Sequence, residues 1–229
     1  MIERPADIRP ALDGVRRRVL DACHGEQRDV RIVAVTKGFG AATIEAALAA
    51  GLHDIGENYY QEASEKFASV AWPAAAVRHF IGRVQRNKAR RIVGLFDVVQ
   101  TLDDLELAAA LDHGAAAAHK TLDVLVQVNV ASDQRQGVPP DLLFDFVREL
   151  RPHRHLRLRG LMAMGPADRR AADAAFARAA ACFERLRAEA PAAAVVLSMG
   201  MSDDMDIALA HGSTMLRLGT ALFGPRPSR

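Results

Sequence analysis

The chain has 229 residues, of which 50% are hydrophobic and 25% are charged, so it has enough apolar side chain for one large core without division into two domains. The formal net charge is +2, from 30 basic and 28 acidic residues. No Lys or Arg run is long enough to bind nucleic acid or anionic lipid. The composition therefore argues against a nucleic-acid-binding protein.

The N-terminal segment predicts an amphipathic helix at about residues 5–24, because apolar residues recur there at helical spacing among charged ones. It has neither a signal-peptide apolar region nor the run of about 20 apolar residues that a membrane span needs. Cys23 and Cys182 lack partners at metal-ligand or CxxC spacing, so we interpret them as buried free thiols in a reducing compartment. We expect a cytoplasmic protein without a membrane partner or a metal site.

Short apolar or β-branched runs then alternate with Ala-, Glu- and Arg-rich stretches of helical periodicity, which is typical of βαβ units. Eight strands are predicted, at Arg31–Lys37, His53–Asn58, Arg78–Val84, Leu95–Gln100, Leu122–Val130, Leu156–Met164, Ala194–Met199 and Thr214–Gly219. Each strand but the last is followed by a helical segment. The pattern predicts a single (β/α)8 TIM-type barrel over residues 1–229, with a doubly wound sheet as the alternative.

The ligand site of a parallel barrel lies at the C-terminal ends of its strands. The polar, cationic and flexible residues that end the predicted strands are Lys37, Asn58, Gln85 with Asn87, Gln100, Asn129, Met162 to Met164, Ser198, and Arg217 with Gly219. Packing alone does not require so many polar groups, and we therefore expect a binding site at this face.

Lys37 ends the apolar strand segment IVAVT, where partial desolvation should lower the pKa of its amine. A neutral amine attacks carbonyl groups, so Lys37 is a candidate for covalent bonding to an aldehyde. A lysine that snorkels from a strand end would have the same position, and position alone names no cofactor.

Two loops suggest a phosphate site. Ser198-Met199-Gly200-Met201-Ser202 leads from a strand into a helix, and Arg217-Leu218-Gly219-Thr220 follows at the next strand end. Small residues and free backbone N–H groups at a helix start suit an anion. The loops after strands seven and eight form the phosphate site of many barrels.

Other polar residues have ordinary structural interpretations. Asp203 and Asp204 are expected to be acids at a helix start. His79 could be a hydrogen-bonded core histidine or a ligand. Glu62, Glu65 and Lys66 have the spacing of a solvated helix face, and His153 and His155 lack further metal ligands nearby.

A set of motifs in order between about residues 30 and 226 resembles the pyridoxal-phosphate homeostasis proteins. The motifs are VAVTKGF, GENYYQE, HFIGRVQRNK, LVQVNV, RGLMAMGP, LSMGMSDDM and GSTMLRLGTALFGPR. That family is similar to the N-terminal barrel of alanine racemase. The resemblance implies an alanine-racemase N-terminal-domain-like fold and pyridoxal 5′-phosphate (PLP) as the cofactor.

The resemblance implies that Lys37 forms a Schiff base with PLP and that Arg217 faces the pyridine nitrogen. It assigns the phosphate to Ser198 and Met199 on one side and to Gly219 and Thr220 on the other. Asn58 and the strand that contains His79 would line the pocket. No residue is assigned a catalytic role.

One departure from the family lies after the QVNV strand. Many relatives read Ser-Lys-Ser-Gly there, whereas this chain reads Asp133-Gln134-Arg135-Gln136-Gly137. Arg135 replaces the lysine and cannot form an imine, which puts any secondary cofactor attachment at this loop in doubt.

The expected function is vitamin B6 homeostasis, in which the protein carries or buffers PLP without turnover of its own. Candidate partners are PLP and PLP-dependent apoenzymes, and the expected state is a monomer or weak dimer. The alternative is a PLP-dependent amino-acid racemase-like enzyme. Such racemases need a second base from another domain or subunit, and this chain ends at Arg229 shortly after the predicted phosphate strand. A third hypothesis, a barrel for another phosphorylated metabolite, would leave Lys37 without a role.

Overall fold

A computed structural model describes residues 7–26, 28–131 and 136–225. They form a closed barrel of eight parallel strands in chain order, in which β8 pairs with β1. The strands are β1 (Arg31–Val35), β2 (Asp54–Glu57), β3 (Val77–Phe80), β4 (Val98–Leu102), β5 (Leu122–Gln127), β6 (Leu156–Met162), β7 (Val196–Ser198) and β8 (Met215–Leu218). The predicted (β/α)8 barrel is confirmed, and the doubly wound alternative is wrong.

Helices connect the strands and cover the outside of the barrel. Their bounds are α1 (Arg9–Ala22), α2 (Ala41–Ala49), α3 (Tyr60–Phe67), α4 (Ala89–Leu95), α5 (Leu105–Ala117), α6 (Leu143–Glu149), α7 (Arg169–Glu189), α8 (Met205–Ala210) and α9 (Thr220–Phe223). The longest, α7, begins where the Asp168 side chain accepts a hydrogen bond from Ala171 N at 2.9 Å. Asp104 caps α5 in the same way, through Leu107 N at 2.8 Å.

The main hydrophobic core lies between the sheet and these helices. Buried aromatic and aliphatic side chains fill it, and Phe96, Phe176 and Phe183 are the largest of the fully buried ones. A second, smaller apolar cluster consists of Val33, Leu125, Met162, Val196 and Met215. Polar side chains are also buried on the strands or at their ends, among them His79, Gln100, Ser198 and Arg217.

The structure corrects some predicted bounds. The strand predicted at Leu95–Gln100 occupies Val98–Leu102, because Leu95 ends α4 and Phe96 packs in the outer core. The last strand is followed by a one-turn helix, although none was predicted. A helix occupies Arg9–Ala22, inside the range of about residues 5–24 predicted for the N-terminal helix.

Within the described ranges, no helix is long and apolar enough to cross a membrane. The same residues contain no cluster of three or more side chains able to hold a metal ion. Both cysteines are free thiols, but only Cys23 is buried, whereas Cys182 is half-buried. Asp133, Gln134 and Arg135 lie outside the described residues, whereas Gln136 and Gly137 are described.

Candidate functional site

A cavity of about 260 Å³ opens at the C-terminal ends of the strands. Its lining residues come from the ends of β1, β2, β3, β6 and β8 and from the loop after β7. They are Val35, Lys37, Phe39, Asn58, Ile81, Met162, Met164, Met201, Ser202, Asp203, Arg217, Gly219 and Thr220. Of the residues predicted for the site, Lys37, Asn58, Arg217, Gly219 and Thr220 lie together around this cavity.

A buried ionic cluster fixes the turn that presents Lys37. The Lys66 ammonium donates to the backbone carbonyl of Thr36 at 2.9 Å and lies 2.5 Å from Glu57 Oε1 and 2.8 Å from Glu62 Oε1. Glu62 Oε1 also accepts the Gly38 backbone N–H at 2.5 Å. Both residues adjoining Lys37 are therefore held by the same cluster.

The expectation that Lys66 belongs to a solvated helix face is thus wrong. Lys66 is buried, and its carboxylate partner Glu57 is fully enclosed. Thr36 Oγ1 donates to Glu57 Oε1 at 2.6 Å. Burial raises the pKa of Glu57 above its ordinary value, although Lys66 acts in the opposite direction. The sequence does indicate one of these contacts, because Glu62 and Lys66 are four residues apart on α3 and can form an ion pair at that spacing.

Arg217 lies at the floor of the cavity. Its Nη1 donates to Ser198 O at 2.9 Å and to Ser198 Oγ at 2.8 Å, and its Nη2 donates to Ala163 O at 2.9 Å. Burial lowers the pKa of Arg217 to about 10, with the charge of Asp204 opposing that change. The guanidinium therefore stays cationic at neutral pH, in a fixed orientation.

Ser198 and Met199, predicted to contact phosphate, lie at the end of β7 but do not line the cavity. The Ser198 hydroxyl donates to Gln100 Oε1 at 2.7 Å, and the Met199 backbone N–H donates to Met215 O at 3.1 Å. Since these groups are already hydrogen-bonded, we expect an anion to contact the following loop, where Ser202 lines the cavity.

The loops after β7 and β8 meet at the predicted phosphate position. Ala221 N donates to Ser202 Oγ at 3.0 Å, which ties the two loops together. At Gly219 a Cβ would lie 3.3 Å from Val35 O, so a side chain there would crowd the end of β1. The helices α8 and α9 have only six and four residues, so their dipoles contribute less than the sequence pattern suggested.

Asp204 stabilises the loop after β7 instead of capping α8. Its Oδ1 accepts the Met201 backbone N–H at 2.6 Å, and its side chain makes no capping hydrogen bond to the helix. Burial raises its pKa. Asp203 is one of the cavity residues. The two acids therefore lie at a helix start, as predicted, but Asp204 binds the loop backbone and Asp203 lines the cavity.

His79 is buried and hydrogen-bonded, which matches the first of its two interpretations. It does not line the cavity, whereas Ile81, just beyond the same strand, does. Met201 and Ser202, from the segment predicted to bind phosphate, also line the cavity. Phe39 lines it too and was missed as a site residue. Periodicity could not single out Phe39, because loop conformation decides whether its side chain faces inward.

Comparison with known proteins agrees with this architecture. The family model described as "Alanine racemase, N-terminal domain" matches residues 15–227. The pyridoxal phosphate homeostasis protein of Pseudomonas aeruginosa is 40% identical, with 93% of each chain covered. The corresponding protein of Escherichia coli K12 is 35% identical, with 96% of this chain and 97% of the relative covered.

Two solved structures place the fold among known barrels. PipY of Synechococcus elongatus PCC7942, solved with PLP bound, has a TM-score of 0.84 and 34% identity over 95% of this chain and all of that one. An alanine racemase of Clostridium difficile 630 has a TM-score of 0.75 at 15% identity, with 57% of that chain covered, and shows likeness of fold alone. Sequence and structure together establish that the chain belongs to the pyridoxal phosphate homeostasis protein family.

Proposed function

We propose that this protein binds pyridoxal 5′-phosphate in the 260 Å³ cavity, holds it covalently through Lys37, and carries or buffers it for vitamin B6 homeostasis without turnover of its own. The observation that carries the proposal is the presence of Lys37, Arg217, Gly219 and Thr220 around one cavity. The family relation and the PLP-bound PipY support the choice of ligand.

The residues of the cavity fit this cofactor. Asn58 Oδ1 is buried without a hydrogen-bond partner in the described part of the chain, although it belongs to a cavity residue. Such an atom is costly unless a ligand or water donates to it. The Gly219 turn, the Ser202 hydroxyl and the Thr220 hydroxyl offer a polar, crowded corner for a phosphate, and Ile81 and Met164 add apolar side chains to the same cavity.

When bound, the cofactor would supply an aldehyde that condenses with a primary amine. Lys37 provides that amine from a turn clamped by Lys66, Glu57 and Glu62. A fixed turn loses little freedom when the bond forms, and this should favour retention of the cofactor. Arg217 would face the ring nitrogen, and its positive charge disfavours a proton there, which weakens the electron sink that carbanion chemistry requires.

The absence of turnover is part of this proposal. Besides Lys37, the ionisable side chains lining the described cavity are Asp203 and Arg217, and Tyr59 and Tyr60 are not among the lining residues. The racemase-like alternative has support only from distant relatives of the same fold. Delivery to PLP-dependent apoenzymes, a monomer or weak dimer, and a cytoplasmic location also stay predictions.

The first experiment is addition of PLP to the purified protein, followed by absorption spectroscopy, borohydride reduction and mass mapping. We expect a visible band and a reduced adduct on Lys37. Lys37→Ala should lose both and still fold, because the change removes no core volume. Lys88→Ala, at an exposed lysine, is the control and should keep both.

Two results would contradict parts of the proposal. An adduct on another lysine would remove Lys37 from its role. Rapid exchange of the α-proton of amino acids by the loaded protein, measured in deuterium oxide, would favour the racemase-like alternative over a carrier.

A further inference from the structure

A chain of hydrogen bonds links the floor of the cavity to the opposite end of the barrel. Arg217 Nη1 donates to Ser198 Oγ at 2.8 Å, and the Ser198 hydroxyl donates to Gln100 Oε1 at 2.7 Å. Gln100 Nε2 lies 2.9 Å from His79 Nδ1, and His79 Nε2 lies 2.8 Å from Asp54 Oδ1. The chain thus crosses from β8 through β7, β4 and β3 to the start of β2.

All hydrogen bonds in this chain point the same way. An amide nitrogen can only donate, so His79 Nδ1 must accept and the ring proton must lie on Nε2, facing Asp54. Each member therefore donates toward the next, from the Arg217 guanidinium to the Asp54 carboxylate. Hydrogen bonds aligned in this manner polarise and strengthen one another in a low-dielectric interior.

The common direction of these hydrogen bonds matters because the side chains that form them are buried. His79, Gln100 and Ser198 have no exposed surface, and Arg217 is 5% exposed. The groups that directly accept from Arg217 are the neutral oxygens of Ser198 and Ala163. Burying a cation costs free energy unless negative potential compensates its charge. The aligned dipoles of the hydrogen-bond chain, which ends on the Asp54 carboxylate, supply such a potential at Arg217.

The Asp54 carboxylate is the last acceptor of the hydrogen-bond chain, and a second residue binds it as well. Arg31, on the neighbouring strand, forms an ion pair with its carboxylate. Burial raises the pKa of Asp54, but its interactions with His79 and Arg31 outweigh that effect and leave the pKa below its ordinary value. The carboxylate is therefore ionised at neutral pH and accepts from His79.

We propose that Asp54, His79 and Gln100 are positioning residues that orient Arg217, through Ser198, against the ring of the bound cofactor. Only the last step, from Arg217 to the ring nitrogen, rests on the proposed function. The hydrogen-bond chain belongs to the protein without cofactor, so the aligned chain and the proposed function can be refuted independently.

The first test needs no cofactor. Nitrogen-15 NMR of histidine-labelled protein near neutral pH should show His79 protonated on Nε2 alone. Gln100→Glu replaces the amide donor by a carboxylate, so His79 should gain a proton on Nδ1 while the side-chain volume stays nearly constant. A wild-type ring protonated on Nδ1 would overturn the proposal, because the hydrogen bonds would then not run in one direction.

The second test compares two acids at the same end of the barrel. Asp54 and Asp123 are each near a strand start, each paired with an arginine of a neighbouring strand, and 15% and 21% exposed. Asp54→Asn should shift the absorption spectrum of bound PLP and weaken its affinity by about threefold to tenfold. Asp123→Asn should change neither.

Equal spectra and affinities for the Asp54→Asn and Asp123→Asn proteins would overturn the positioning role. A wild-type protein that binds no PLP would refute the proposed function, and the NMR result would still decide whether the aligned chain exists.

Discussion

At the scale of single residues, the cluster around Lys66 gives the site its rigidity. One ammonium group holds the carbonyl of Thr36 and two carboxylates, and one of these carboxylates holds Gly38 N. Lys37 lies between those two held residues, so its backbone has little freedom. Lys66 does not line the cavity, but it helps to fix the position of the Lys37 backbone.

Lys66→Met should therefore weaken PLP binding. Loss of the ammonium leaves the Thr36 carbonyl with only its hydrogen bond from Phe39 N and leaves Glu57 without its cation. We therefore expect an affinity loss of about tenfold, or about 1.4 kcal/mol. Equilibrium titration followed by absorbance would measure it. The matched control is Lys120→Met, because Lys120 also donates to backbone carbonyls, those of Val93 and Phe96, but contacts no part of the site.

The control should lose stability without losing affinity. Equal affinities for Lys66→Met and wild-type protein would show that the turn at Lys37 is fixed by other contacts.

At the scale of elements, a glycine in β6 lets the barrel close. The pairing of β5 with β6 runs from Val124 with Leu158 to Leu125 with Gly160, so β6 contains one extra residue. Gly160 has φ of +147°, and a Cβ there would lie 1.8 Å from Val196 O on β7. The bulge thus needs both the backbone freedom and the missing side chain of glycine.

We expect Gly160→Ala to destabilise the protein by more than about 3 kcal/mol, because backbone strain adds to a clash with the neighbouring strand. The control is Gly14→Ala in α1, where a Cβ meets nothing within 4 Å and the change should stabilise by up to about 1 kcal/mol. Urea unfolding would measure both. Similar midpoints for the two variants would contradict this account of the bulge.

At the scale of the whole molecule, the sequence predicts the barrel well, since alternating strand and helix patterns repeat along the chain and each strand must bury its apolar face. It also predicts that Lys37, Asn58, Arg217, Gly219 and Thr220 share one face, because strand ends converge there. The errors concern residues whose role depends on three-dimensional partners. Lys66 has the spacing of a surface lysine, but the fold places Glu57 and Thr36 around it.

Arg–Asp ion pairs at the opposite end of the barrel join the starts of neighbouring strands. Arg31 pairs with Asp54, Arg78 with Asp97, and Arg157 with Asp123. Burial raises the pKa of Asp97, but its hydrogen bonds and charge interaction with Arg78 outweigh this effect and leave the pKa lowered. The net shift has the same direction at Asp54.

These shifts make the barrel acid-sensitive. A carboxyl with a lower pKa in the folded state stabilises the protein fully above its unfolded pKa, which is about 3.9 for Asp. The carboxyl has a higher pKa in the unfolded chain, so on acidification the unfolded chain binds a proton first and unfolding is favoured. The stabilisation is lost once the pH has fallen through the pKa of the folded state. The contribution of these two carboxyls to the free energy of unfolding should therefore decline below about pH 5.

Asp97→Asn should flatten this decline, since that carboxyl no longer titrates. Urea unfolding of wild-type and variant protein between about pH 3 and 7 would measure the difference, and we expect the two curves to converge at the acid end. Asp145→Asn is the control, because its ion pair with Arg148 is exposed and should contribute little to stability. Parallel curves for the wild-type and Asp97→Asn proteins would show that the Asp97 pair contributes no pH-dependent stability, and the acid sensitivity would then have to come from other carboxyls.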